Sequence, residues 1–199
     1  MRSIILASNS DRRIALLKQV GIKFTSFPPD INEYINPNIS VSEAVGKIAE
    51  KKARAALGRR DKGLVVAADT VVLGNDQILA KPIGSTGAKN TLKELSGHWC
   101  RVMTGLVLLD LESNLVWQDV VTTEVKIKEL SLGEIESYVK YGEPLGKAGS
   151  FAIQGVGAVL VERICGNYYN VVGLPLNSLY QGLNHFGYSL WGDLADCST

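Results

Sequence analysis

The sequence predicts an α/β fold with a mixed β-sheet flanked by helices. Three observations predict it. Apolar segments of strand length alternate with segments of helical periodicity. Two pairs of strands are separated only by tight-turn residues, Gly74-Asn75-Asp76 and Glu112-Ser113-Asn114, and such hairpins break strict βαβ alternation. A chain of 199 residues, 46% hydrophobic and 21% charged, can bury a sizeable core and lies far from disordered composition.

Taken in order, Ser3 to Ala7 reads as a short buried strand. The polar turn Ser8-Asn9-Ser10-Asp11 leads into a helix with Ile14, Leu17 and Val20 on one face, stopped by Gly21. Ile22, Phe24 and Ser26 alternate like a second strand until Pro28-Pro29, and a loop follows to Ser40. Ser40-Val41-Ser42-Glu43 has the form of a capping box and opens a helix to about Leu57, closed by Gly58. Leu64 to Leu73 is too apolar to face water on one side, so it is a central strand, turning back into Ile78-Leu79-Ala80. Ser85 to Leu95 is a helix with Ala88, Leu92 and Leu95 inward, ended by Gly97. Two long strands follow, Arg101 to Leu111 and Val116 to Lys128. Ser131-Leu132-Gly133-Glu134 repeats the capping-box signal for a helix to about Tyr141. Gly155 to Cys165 reads as a strand. Pro175 sits at the first position of a last helix with Leu176, Leu179, Leu183 and Phe186 inward. Residues 1–187 form one domain on this reading, and 188–199 a weakly patterned tail.

Charge and cysteine usage exclude several classes. With 21 Lys+Arg against 20 Asp+Glu the net charge is +1, without the basic excess that a phosphate-tracking nucleic-acid surface needs. A small anion, which needs only a few cations in one place, is compatible with it. No apolar run approaches the roughly 18 residues of a membrane span, and the N-terminal apolar run is too short for a signal core. Cys100, Cys165 and Cys197 are odd in number and lack CxxC spacing, which fits reduced thiols in the cytoplasm.

Six features carry candidate chemistry. Ser8-Asn9-Ser10-Asp11-Arg12-Arg13 lies between a strand and a helix N-terminus, where free N–H groups, the helix dipole and two guanidinium forks suit a phosphate; an ordinary Ser or Asp cap with solvated arginines is the alternative. Asp69, in Ala67-Ala68-Asp69-Thr70, interrupts the most apolar strand. A carboxylate there needs a metal, a cation or a structural hydrogen bond, and the carboxyl end of such a strand is where open α/β sheets bind ligands. Lys81 is pinned between a short strand and Pro82, and Glu33 lies in the loop after Pro29; each reads equally as an exposed loop residue. Lys51 and Lys52 belong to the long helix, where most lysines form the wet face, though Ala53 leaves one side of Lys52 uncrowded. Glu143 to Gly155 is a glycine-dense stretch in which Gln154 has a donor and an acceptor suited to a base edge.

Together and in order these segments resemble the Maf-like nucleoside triphosphate pyrophosphatases. The family pattern L-A-S-x-S-P-R-R corresponds to Leu6 to Arg13, A-x-x-K-A to Ala49 to Ala53, and G-A-D-T-V to Ala67 to Val71. L-G-K-P corresponds to Leu79 to Pro82, L-S-G to Leu95 to Gly97, K-A-G-x-x-x-I-Q-G to Lys147 to Gly155, and V-V-G-L-P-L to Val171 to Leu176. The resemblance implies an inosine-triphosphatase-like architecture of two lobes with a nucleotide cleft between them. It also implies an enzyme that splits a nucleoside triphosphate between the α and β phosphates with a divalent cation, Mg²⁺ or Mn²⁺. Asp69 would be the general base or a metal ligand, with Glu33 the second metal ligand or water positioner. Ser8, Ser10, Arg12, Arg13, Lys52 and Lys81 would hold the triphosphate, Lys81 in a catalytic role. Arg12, Thr70 and Gln154 would discriminate the base, and the A-D-T and I-Q-G forms resemble the branch that prefers dTTP and UTP.

Four positions depart from the pattern. Asp11 stands for the motif proline, Gly146 for an aspartate, Cys100 for a histidine, and Ser150-Phe151 for Ala-Tyr. Two alternatives stand beside this reading: an inosine triphosphate pyrophosphatase of like chemistry, and a nucleotide-binding regulator of septum formation without turnover. For any assembly the commonest form is a homodimer.

Overall fold

An eleven-residue apolar run becomes a central strand only where both its faces and both its edges are covered, and Leu64–Gly74 meets that condition. In the computed structural model, which describes residues 3–36 and 38–191, this run is strand β3, buried without a break from Leu64 to Asp69. Four elements precede it: β1 (Ile4–Ala7), α1 (Asp11–Gln19), β2 (Phe24–Phe27) and α2 (Val41–Arg54), which leads into β3. After it come β4 (Gln77–Leu79), α3 (Gly84–Leu95), β5 (Trp99–Asp110), β6 (Val116–Ile127) and α4 (Leu132–Tyr141). The chain closes with β7 (Val161–Cys165), α5 (Tyr168–Val172) and α6 (Leu176–His185).

The sheet runs β2-β1-β3-β5-β6-β7, with β4 paired to β3. It is mixed, as the sequence predicts: β1 pairs in parallel with both β2 and β3, while β3–β4 and β6–β7 are antiparallel. The first hairpin is made at Asn75 and Asp76, both with positive φ, the backbone that a tight two-residue hairpin demands.

The chain divides into two compact units. The first comprises Met1–Asp69, Thr104–Val121 and Gly173–Thr199; the second comprises Thr70–Met103 and Thr122–Val172. In the first, Ala49 and Ala53 of α2, with Ala56 in the turn after it, pack on Ile5, Ala7, Val65, Ala67, Val107 and Leu109. Alanine on the helix lets it lie close to the sheet. Gly105 of β5 takes this to the limit, since a β-carbon there would stand 2.5 Å from the Val45 carbonyl oxygen. In the second unit Ala88, Leu92 and Leu95 of α3 meet Ile135, Tyr138 and Val139 of α4 over Val102, Val125 and Ile127.

Several local expectations are corrected. Val156–Leu160 is a 3₁₀ turn, and only Val161–Cys165 is strand; Gly157 and Leu160, three apart, are the buried pair, which is 3₁₀ spacing. On α1 the buried residues are Leu16 and Leu17, with Ile14 and Val20 half-exposed. At Ser40 only half of the capping box forms: its hydroxyl accepts from the Glu43 N–H, while the Glu43 carboxylate pairs with Lys47. Regular helix α2 ends at Arg54, and tight turns continue to Gly58. Pro175 is the N-cap of α6, not its first residue; Leu179 and Leu183 are buried while Leu176 and Phe186 are half-exposed. Of the tail, Tyr188 and Leu190 are buried, and 192–199 lie outside the described residues.

The second capping box is complete. Ser131 Oγ accepts from the Glu134 N–H, and the Glu134 carboxylate accepts from the Ser131 N–H at 2.8 Å. Lys128 pairs with the same carboxylate. These bonds, that of Lys128 first, hold the Glu134 carboxyl down at about 2 against an ordinary 4.5. A depressed carboxyl stabilises the fold above its unfolded value and loses that contribution as pH falls toward its folded value. The stability advantage of the wild type over Glu134→Gln is therefore expected to be full above about pH 4.5 and to vanish toward about pH 2. Urea midpoints of both proteins across that range measure it; a gap constant with pH would contradict it.

Candidate functional site

The connections β1-α1-β2 and β2-α2-β3 place β2 on one side of β1 and β3 on the other. In an open α/β sheet this reversal opens a crevice at the carboxyl ends of the strands, and that is where ligands bind. Leu6 is in register with Val66, and the same offset carried onward brings Ser8 level with Ala68, one residue short of Asp69.

Ser8 leaves β1 buried, at 5% exposure. Its hydroxyl oxygen accepts from the Ser10 N–H at 3.1 Å and from Arg13 Nη1 at 3.4 Å. Ser10 is the N-cap of α1, yet its side chain makes no capping bond, so the ordinary-cap alternative does not describe this turn. Arg13 is held at a second point, where its Nε donates to the Gly173 carbonyl at 2.8 Å. That carbonyl contact is one the sequence reading missed; the V-V-G-L-P-L block was its only signal. Burial lowers the Arg13 pKa, the fields of Asp69 and Glu33 oppose the shift, and Arg12 adds to it. Arg12 is itself lowered by burial. Guanidinium groups stay protonated at neutral pH through such shifts, so two cations stand at the start of α1.

The centre of the site is Lys52. Its Nζ lies 2.7 Å from Asp69 Oδ1 and 2.7 Å from Glu33 Oε1. Lys52 is 6% and Asp69 8% exposed, while Glu33 reaches in from an exposed loop. The helix explains the burial. Val45, Ile48, Ala49 and Ala53 form the inward stripe of α2, and Lys52, four residues after Ile48, lies on it, whereas Lys51 is exposed. Helical phase is what separates the two lysines, where the sequence alone points only to Ala53 beside Lys52. A buried carboxylate is costly without a partner, and here the ammonium supplies one.

Hydrogen bonds join Ser8, Ser10 and Arg13, ion pairs join Lys52 to Glu33 and Asp69, and Arg12 and Arg13 share their electrostatic field, all within the first unit. Thr70, Lys81 and Gln154 belong to the second. Thr70 follows Asp69 along β3, half-buried; Lys81 is exposed after β4; Gln154 is half-buried in the turn before the 3₁₀ segment. Of the departures, Asp11 is exposed in the first turn of α1, where a negative charge suits the helix dipole. Gly146 adopts φ +73°, and burial pushes the Cys100 thiol up to about 12. Among the described residues no three His, Cys, Asp or Glu side chains gather as a metal cage, and no helix is long and apolar enough to cross a membrane.

Cations fixed by burial beside two carboxylates, at the reversal point of an α/β sheet, define an α/β protein equipped to bind a polyanion and move a proton next to it. The model of the Maf family, described as Maf-like protein, matches residues 3–186, and the chain belongs to that family. It is 46% identical over 180 residues to the dTTP/UTP pyrophosphatase of Ruminiclostridium cellulolyticum, covering 90% of this chain and 93% of that one. It is 45% identical over 197 residues to the dTTP/UTP pyrophosphatase of Acetivibrio thermocellus, covering 96% and 98%. Among solved structures it is similar to the Staphylococcus aureus Ham1 protein, at a TM-score of 0.44 and 16% identity over 63% of this chain and 72% of that one.

Proposed function

We propose that the protein hydrolyses a nucleoside triphosphate, dTTP or UTP, between its α and β phosphates, yielding the nucleoside monophosphate and pyrophosphate. The observation that carries this reading is the buried Asp69–Lys52 pair joined by Glu33 from the surface, with Arg12 and Arg13 in the same field. The names of the relatives support the choice of base. In the reaction a water oxygen attacks the α phosphorus, its proton passes to the Asp69 carboxylate, and the bond from the α phosphorus to the α-β bridging oxygen breaks as pyrophosphate leaves. Arg12, Arg13 and Lys52 neutralise the charge that develops on the triphosphate. For Thr70, Lys81 and Gln154 the support is the match of their motifs to the family pattern.

A divalent cation fits the donor set. Glu33 and Asp69 each reach one common atom at 2.7 Å, so their oxygens stand no farther apart than twice that distance. Two carboxylates are what Mg²⁺ takes from a protein when substrate oxygens and water complete its shell. When bound, such a cation polarises phosphoryl oxygens. Glu33 and Asp69 would hold it, and Lys52 occupies their common position as a cation of the chain's own. The free thiols of Cys100 and of exposed Cys165 support a reducing compartment, the cytoplasm.

The test is incubation with dTTP, UTP, CTP, GTP and ITP plus Mg²⁺ or Mn²⁺, with pyrophosphate and orthophosphate assayed separately. Pyrophosphate released from dTTP and UTP ahead of the others is the expected result. Orthophosphate as first product would sink the mechanism, and preference for ITP would move the substrate to the purines.

A further inference from the structure

The second unit contains a hydrogen-bonded device that the reaction above does not use. Tyr138 faces inward on α4 and is 5% exposed; Glu143 follows the helix cap, Gly142. The Tyr138 hydroxyl donates to Glu143 Oε2 at 2.8 Å and accepts from the Ala152 N–H at 3.2 Å. The same Oε2 accepts from the Gly157 N–H at 2.6 Å, and Oε1 accepts from the Val156 N–H at 3.2 Å. Both arms of one turn therefore end on one Tyr–Glu pair. Gln154 lies midway, two residues from Ala152 and two from Val156.

The glycines show how closely the turn is pressed on the pair. Gly155 has φ +83° and ψ −153°, a backbone only glycine adopts readily, and a β-carbon there would stand 2.2 Å from Glu143 Oε1. A β-carbon on Gly157 would stand 2.3 Å from the Tyr138 hydroxyl. Burial, and then the bond to Glu143, push the Tyr138 phenol upward. Its proton therefore stays in place at neutral pH, and the donor to Glu143 with it. Lys147 fixes the near side by donating to the Glu143 carbonyl.

We propose that Tyr138 and Glu143 are positioning residues for Gln154: by tying both arms of the 152–157 turn they set the amide's place and so the nucleobase the protein accepts. This rests on Gln154 reading the base of a nucleoside triphosphate. A glutamine at 143 offers one acceptor oxygen where the Val156 and Gly157 N–H groups each meet their own, so Glu143→Gln turns an amide NH2 toward one of them and loosens that arm at nearly unchanged volume. Tyr138→Phe frees the Ala152 arm and leaves the Glu143 bonds to Val156 and Gly157.

The experiment compares wild type, Glu143→Gln, Tyr138→Phe and Gln154→Ala in two ways. Amide hydrogen exchange is read at residues 152, 156 and 157, and kcat and KM are measured for UTP and CTP. Exchange is expected to accelerate at 156 or 157 in Glu143→Gln and at 152 in Tyr138→Phe while α3 stays protected, and the UTP-over-CTP ratio of kcat/KM to fall about tenfold, as one neutral hydrogen bond allows, chiefly through KM. Unchanged discrimination in folded Glu143 and Tyr138 variants, where Gln154→Ala loses it, overturns the proposal. So does an equal fall in kcat for both nucleotides, the mark of a merely structural role. If the wild type releases no pyrophosphate, the functional reading is what fails. The clamp then stands or falls on the exchange data: protection retained at both 156 and 157 in Glu143→Gln and at 152 in Tyr138→Phe refutes it by itself.

Discussion

Asp69→Asn is expected to lower turnover of dTTP or UTP at least ~100-fold, the order of loss when a general base is removed, while the protein still folds. The side chain keeps its volume, and an amide oxygen can still accept from Lys52 Nζ, which lies 2.7 Å from Asp69 Oδ1. Lys52 also keeps Glu33 as a counter-charge. What disappears is the basicity at that position and one negative charge beside Arg13, whose own charge survives the change. The measurement is steady-state pyrophosphate release, with circular dichroism and a urea midpoint to establish folding. Wild-type turnover in the folded variant removes Asp69 from the reaction.

How far the sequence disclosed this molecule depended on whether a signal was local. Asp69 was legible because a carboxylate inside an apolar strand contradicts its surroundings, and the contradiction points to a partner. Helix α4 was legible because Ser131 and Glu134 satisfy one another within a single turn. By contrast, Val156–Leu160 reads as strand by hydropathy, and only the turn held by Glu143 makes it 3₁₀. Helix α5 escaped notice because it is five residues long and begins where Asn167 Oδ1 accepts from the Asn170 N–H, while Asn170 itself is buried against Val102 and Thr123. Glu33 had no distinguishing context, since its partner is nineteen residues away on α2. Long-range pairings of this kind leave no periodicity in the chain.

Lys52→Met separates what the ammonium does for the fold from what it does for the reaction. Methionine fits the apolar stripe of α2, so packing is largely retained. The loss is electrostatic: Asp69, its side chain 11% exposed, and Glu33 are left near one another without the cation that joined them. Removing one partner of a buried pair costs about 3–5 kcal/mol. The field of Arg13 still falls on Asp69, and Glu33 is half-exposed, so the lower end, about 3 kcal/mol, is expected. Turnover should fall about 100-fold, the order seen when a group stabilising developing charge is removed. The decisive comparison is the double variant Lys52→Met with Asp69→Asn. Neutralising Asp69 removes the charge that Lys52→Met leaves unpaired, so the double variant should unfold at higher urea than Lys52→Met alone. Strict additivity of the two single losses, in a double-mutant cycle over residues in direct contact, would show that the ion pair at the centre of the site contributes nothing to holding it together.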